Sequence, residues 1–319
     1  MAARSHDARG RDAASPGEIP RRGWKDILRR LKGQIDEDNL YLIAAGMAFY
    51  LFLAIFPAIA ALVSILGLAM EPADVERFVA AAAGLLPPDA LKIIQDQVHE
   101  MATTSNRALG LSLAVSVGLA FWSATAGMKA LMTALNIAYE EREARGFVRY
   151  YAMALVLTLG GIVFVVVALA LVAALPVVLE RLAMPSFLAA ALGLVRWLIL
   201  AGAFLAALAV LYRFAPSREQ PQWRWVSWGA VVATLLWLAG SALFSLYVSN
   251  FGDYNATYGA LAAIVILMTW FYLTAFVILL GAELNAEMEH QTRVDSTTGE
   301  PQPMGQRGAR MADSLGESR

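Results

Sequence analysis

The side chains with the chemistry to do work in this chain are few, and most of them sit against apolar sequence. Residues 281–290 read GAELNAEMEH and follow a long apolar run. Glu283 and Glu287 are one helical turn apart and share a face, with Asn285 between them. A carboxylate in that position binds a proton or a cation, or it is the solvated end of a helix. Asp36, Glu37, Asp38 and Asn39 open the first apolar run at a matching depth, where negative charge suits a helix N-terminus. Asn136 and Tyr139 extend another run to that level. Arg196 lies inside an apolar run, where a buried charge costs roughly 2.5–3.5 kcal/mol on insertion scales. Two readings of it stand: snorkelling to headgroups or a structural pair, and a place on a substrate or proton path. Between two further runs the sequence is NFGDYNATYGA at 250–260. Gly252 and Gly259 permit a sharp turn, and Tyr254 and Tyr258 suit a membrane interface. Asp253 and Asn255 are left over as candidates for an outer gate.

Several chemistries are excluded at this level. The chain has no Cys, which removes disulfides, thiolate metal sites and thiol nucleophiles. Its three His, at 6, 99 and 290, are far apart and do not suggest a metal centre. There is no Walker A sequence, so any pumping draws on an ion gradient or a partner ATPase. Phosphodiester hydrolysis commonly calls for a metal-binding cluster or an acid–base pair, and RNA binding for a basic groove. Neither pattern is evident. The expectation is a non-enzyme with no catalytic residues, no metal, no cofactor and no nucleic-acid partner.

The elements that must position these residues are apolar blocks. Hydrophobic residues make up 59% of the 319, and charged residues 16%, against about 25% charged in soluble domains. Six runs are long enough to cross a bilayer, which takes about 20 residues. They cover about 40–70, 108–128, 148–179, 187–214, 226–248 and 258–282. A spanning segment must satisfy its own backbone, so each is predicted helical. Of the 25 Lys and Arg, 20 fall before the first run, after the second, after the fourth and after the sixth; 4 fall on the alternate connections. That asymmetry fits six spans with both ends cytoplasmic.

The fold class is therefore all-α, a polytopic membrane protein with six transmembrane helices plus amphipathic cytoplasmic and extracytoplasmic helices. Residues 1–39 form a cytoplasmic N-terminal segment with no cleaved signal peptide expected. In it, Trp24, Ile27, Leu28, Leu31 and Ile35 follow helical spacing among basic residues. This stripe lies on the inner leaflet or packs on the protein itself. Residues 40–289 form the membrane domain, with an external helical insertion at 71–107. Residues 290–319 have no aromatic residue and are rich in Gly, Pro, Ser and Arg, a composition that predicts a disordered cytoplasmic tail. Pro57 is a candidate kink. Gly46, Gly160-Gly161 and Gly240 are candidates for close helix packing, and Gly259 for a turn or contact.

Three blocks together resemble the YihY/BrkB family of bacterial inner-membrane proteins, once labelled ribonuclease BN-like. They are LIAAGMAFYLFLAIFPAI at 42–59, WSATAGMKALMTALNIAYEERE at 122–143, and YNATYGALAAIVILMTWFYLTAFVILLGAELNAE at 254–287. The resemblance implies a six-helix inner-membrane protein, multi-pass, without a settled catalytic role for any residue. It places Gly46, Pro57, Trp122, Asn136, Tyr139, Tyr254, Asn255, Tyr258, Gly259, Trp270, Glu283 and Asn285 at motif positions. Two functions fit: a secondary transporter or exporter of an unknown small molecule or lipid, and a non-enzymatic envelope-assembly or virulence-related scaffold. The bilayer itself is the expected partner, and homo-oligomerisation is compatible with either function.

Overall fold

The structure is a computed structural model that describes residues 8–69, 106–169, 171–172, 186–250 and 260–317. Seven α-helices are described: α1 (Arg21–Glu37), α2 (Leu40–Ala69), α3 (Asn106–Ala138), α4 (Phe147–Leu169), α5 (Ser186–Phe214), α6 (Trp223–Asn250) and α7 (Ala260–Glu289). Helices α2 to α7 fall on the six apolar runs. Among the described residues, four helical stretches are long and apolar enough to cross a membrane: Phe147–Ala168, Ala191–Phe214, Trp223–Val248 and Ala262–Glu289. The bent pair Arg21–Glu37 and Leu40–Phe56 makes a fifth if counted as one span. The external insertion expected at 71–107 lies almost wholly outside the described residues.

The long helices turn oil outward. Leu42, Val148, Phe147 and Leu243 are all about two-thirds exposed or more, while Asn136, Glu283, Asn285, Glu287 and Glu289 are buried. Water would penalise that arrangement, whereas hydrocarbon favours it. The hydroxyls of Thr125, Thr158, Thr234 and Thr269 each donate to the carbonyl four residues earlier. This lets a polar side chain ride on an apolar helix with its hydrogen bond satisfied internally.

Two compact units partition the chain. One comprises Met1–Gly46, Met128–Leu246 and Tyr272–Arg319; the other comprises Met47–Gly127 and Tyr247–Phe271. The second contains ring contacts such as Phe52 against Phe56, edge to face at 5.3 Å. Every described residue of the polar cluster below belongs to the first.

Helix α1 starts after Pro20, whose extended backbone places it just outside the first turn. A short 3-10 turn, Pro16–Glu18, precedes it. Its apolar stripe faces protein: Ile27 and Leu31 are buried in a cluster with Ala13, Ile19, Trp225, Leu284 and Met288, and Trp24 and Ile35 pack against it. Leu28 is left exposed. The chain then bends by 61° into α2. Asn39 supplies the bend with φ 53, a left-handed conformation that Asn tolerates better than most residues. Helix α2 continues through Pro57 without interruption, so the sharp bend falls at the α1–α2 junction and not at the predicted proline.

Residues 290–317 differ from the disorder their composition predicts. Gln291, Thr292 and Ser296 are fully buried, and Ala309, Met311 and Ala312 nearly so. Charged side chains hold this segment by bonding its backbone. The buried Arg307 guanidinium donates to the carbonyls of Gln302, Ala312 and Arg293, and the Asp313 carboxylate accepts from the N–H groups of Gly305 and Arg307. A composition rule sees too little apolar surface here; it does not see backbone groups satisfied one by one. The two termini meet. Arg11 donates to the Gly316 carbonyl at 2.6 Å, Gln291 to the Arg9 carbonyl at 2.8 Å, and Thr292 to the Ala13 carbonyl at 2.7 Å.

Candidate functional site

The last turns of α7 carry acids at 283, 287 and 289 with Asn285 among them. A helix C-terminus is the unfavourable end for negative charge, so these groups need partners from elsewhere. Several other elements surround them, and all four side chains are buried.

Glu287 faces α1. Arg30 donates to its carboxylate at 2.5 Å and to its backbone carbonyl at 3.2 Å, and also to the Gln291 side chain at 2.9 Å. Glu289 faces the α5–α6 connection. Arg218 donates to it at 2.6 Å with both side chains fully buried, and the Ser296 hydroxyl donates to its other oxygen at 2.7 Å. The Arg218 guanidinium stacks over the Tyr139 ring at 4.4 Å. Burial pushes the Tyr139 hydroxyl above its ordinary pKa, and Arg218 opposes that shift. Asn285 faces α6, accepting from the Gly229 N–H at 2.8 Å and donating to the Val226 carbonyl at 3.3 Å.

Close approach of α6 and α7 makes the Asn285 contact available. A Cβ on Gly229 would overlap the Gly281 carbonyl and come within 2.5 Å of Asn285; one on Gly281 would overlap the Tyr212 hydroxyl and come within 2.8 Å of Ala233. Tyr212 donates to the Ile278 carbonyl at 2.8 Å, locking α5 to the same place. By contrast, a Cβ at Gly46, Gly160 or Gly240 would meet nothing within 4 Å, and one at Gly161 would only touch the Met128 side chain at 4.0 Å. The predicted packing glycines are therefore not where these helices approach most closely. The pair at 229 and 281 is, and the signal for it was Gly229 with Ala233 four residues on, a small-xxx-small spacing that sequence reasoning passed over.

Glu283 is the acid of the cluster that no arginine pairs with. It is fully buried, and neither carboxyl oxygen receives a hydrogen bond from any N–H or hydroxyl donor. Its polar neighbour is the carboxyl of Asp38, from the α1–α2 bend, within hydrogen-bonding reach. A cavity of about 400 Å³ lies at the neighbouring residues, its lining including Arg29, Arg30, Glu37, Glu140, Glu287 and His290 but neither Asp38 nor Glu283. Among the described residues, no group of three or more His, Asp or Glu is placed to hold a metal ion.

The remaining predicted site residues divide. Asn136 donates to Glu143 at 3.1 Å and accepts from the Ser217 N–H at 2.7 Å, tying the end of α3 to the α5–α6 connection. Arg196 has its guanidinium 5.4 Å from the Trp197 ring and takes no part in the cluster's hydrogen bonds. Asp253, Tyr254, Asn255, Tyr258 and Gly259 lie outside the described residues. Sequence reasoning missed Arg218, Glu289, Arg30 and Ser296. The signal for Arg218 was an arginine in a short connection between two apolar runs, where it and Arg224 counted only towards topology.

His290 closes α7 and lines the cavity. Burial, then Arg30, Arg11 and Arg310, lower its pKa to about 4. The fold therefore favours neutral imidazole. Between pH 6.5 and about 4 the unfolded chain takes up a proton that the folded chain refuses, so this contribution is complete above 6.5 and is lost as pH falls. Thermal unfolding across that interval is expected to show a steeper acid-side loss in the wild type than in His290→Gln. Parallel curves would remove His290 from the pH response.

A family model described as "Virulence factor BrkB" matches residues 31–306. The chain is 33% identical over 259 residues to "Putative ribonuclease-like protein YfkH" of Bacillus subtilis (strain 168), covering 79% of this chain and 90% of that protein. It is 30% identical over 207 residues to UPF0761 membrane protein IL2447 of Idiomarina loihiensis, covering 65% and 70%. It is 29% identical over 296 residues to UPF0761 membrane protein PBPRA3489 of Photobacterium profundum, covering 86% and 84%. No solved structure matches the chain. The outward-facing apolar helices and the match over 31–306 together make this chain an integral membrane protein of the BrkB family.

Proposed function

We propose that the protein is a secondary transporter or exporter of a small molecule or lipid, resident in the bacterial inner membrane with six spans and both termini in the cytoplasm. The observation that carries the reading is Glu283, a fully buried carboxyl on an apolar helix with no donor to satisfy it. An ionisable group held in that way is costly, and in membrane proteins such groups mark substrate or ion paths. The arginines of the cluster pair with other acids: Arg30 with Glu287, and Arg218 with Glu289. The cavity of about 400 Å³, lined by Glu287 one turn further along α7, is large enough for a small ligand or several waters. Contact between the two termini supports an even number of crossings. The excess of Lys and Arg on the terminal side supports a cytoplasmic location for both ends.

The test is flux. Purified protein in lipid vesicles, challenged with a panel of organic cations, organic anions and labelled lipids, is expected to move at least one of them. Glu283→Gln, which keeps shape and removes the titratable proton, is expected to assemble normally and lose that flux by about ten-fold or more, the loss of one group on an ion path. Normal flux in a well-assembled variant would take Glu283 out of the mechanism. No flux across the panel, with a stable copurifying partner, would favour a scaffold.

A further inference from the structure

The geometry points to Asp38 and Glu283 as a carboxyl pair that binds one exchangeable proton, and this proton is the coupling ion of the transport cycle. The inference rests on the transport reading above and adds the identity of the ion and its second ligand.

Two carboxyl groups in contact cannot hydrogen-bond when both are ionised, because each is then an acceptor only. Glu283 has both oxygens without a conventional donor, and the buried oxygen Oδ2 of Asp38 has none either. A proton between them satisfies the contact; without it, like charges face each other in a site of low polarity. No cation bonds to Glu283, and the buried Tyr139 hydroxyl makes no hydrogen bond to it. From α1 comes Glu37, from the end of α3 come Tyr139 and Glu140, and from α7 comes Glu287, all acidic or neutral. The guanidinium groups of Arg30 and Arg218 pair with Glu287 and Glu289, and neither bonds to Glu283. A metal cation would call for several oxygen ligands, and among the described residues no such group is assembled.

The pair is also built for exchange. Glu283 is sealed from solvent, whereas Asp38 is half-buried at the 61° bend between α1 and α2. Its neighbours Glu37 and Glu140 line the cavity, which brings that space close to Asp38 although Asp38 itself does not line it. Burial lifts the Asp38 carboxyl above its ordinary pKa; the hydrogen bond with Glu283 opposes that, and Glu140 and then Glu37 reinforce it. The bend places the acceptor: Asn39 holds the left-handed conformation that breaks the helix immediately after Asp38. Movement of α1 against α2 would separate the two carboxyls and release the proton, so the bend can link protonation to a change of shape.

Infrared difference spectroscopy on the full chain in lipid vesicles reads the proton directly. The wild type at neutral pH is expected to show a protonated-carboxyl stretch that shifts on transfer to heavy water. Asp38→Asn and Glu283→Gln each supply an amide donor in place of the proton, so each is expected to keep the fold and lose that band. Glu37→Gln is expected to keep it. In vesicles, an imposed proton gradient is expected to drive wild-type flux, and collapse of the gradient to abolish that drive. A wild type without the band, or a band that survives in either pair variant, overturns the proton site. Flux indifferent to the gradient, with the band present, overturns the coupling role. A band with no flux of any probe defeats the transport reading and leaves the proton site standing.

Discussion

Replacing Arg218 with methionine is expected to destabilise the protein by about 3–5 kcal/mol, the usual cost of removing one member of a buried ion pair. Arg218 and Glu289 are both fully buried at 2.6 Å, so the Arg218→Met change would strand the Glu289 carboxylate with only the Ser296 hydroxyl. The cation–π contact with Tyr139 goes with it. The double replacement Arg218→Met with Glu289→Met is expected to recover most of the loss, because a buried pair replaced by apolar groups of similar volume is often near neutral. Thermal unfolding of the three variants in detergent, set out as a double-mutant cycle, checks this. A single replacement costing less than about 1 kcal/mol would mean that water reaches the pair, as at exposed ion pairs.

The second large effect is steric. Gly229→Val is expected to cost about 3 kcal/mol or more, at or beyond the upper end for overpacking. Its side chain would meet the backbone of Gly281, which cannot rotate away, and the Asn285 side chain, whose bonds to Val226 and Gly229 hold α6 to α7. Gly240→Ala on the same α6 meets nothing within 4 Å and is expected to be neutral or to stabilise the helix by up to about 1 kcal/mol. Opposite signs at two glycines of one helix separate packing from helix propensity. Equal effects at both would contradict the close approach at 229.

What the sequence disclosed and what it concealed follow from the range of the forces involved. Helical membrane segments were legible because lipid imposes a local rule on each stretch of chain: enough apolar residues, backbone satisfied internally. All six runs carry helices, although four, or five with the bent pair, meet the length and composition of a span among the described residues. Glu283 and Asn285 drew notice for a related reason, since a polar residue at the end of an oily helix stands out, and both are buried. Their partners were not. Asp38 is 245 positions from Glu283, and Arg218 is 71 from Glu289; only folding brings them together. Asn136 looked like the same kind of outlier but ties two connections together. The tail was misjudged because its order comes from Arg307 and Asp313 bonding backbone groups, an effect that composition cannot register.

The same meeting of distant segments has a topological consequence. Chain ends joined by Arg11–Gly316 and Gln291–Arg9 hydrogen bonds must emerge on one face, and the polar cluster lies with them. Because the chain has no cysteine, single thiols at either end can be labelled without background. Asp12→Cys and Leu315→Cys, treated in intact cells with a maleimide that cannot cross the inner membrane, are both expected to stay unlabelled until the membrane is opened. Labelling of one position and protection of the other would put the ends on opposite faces and contradict the account.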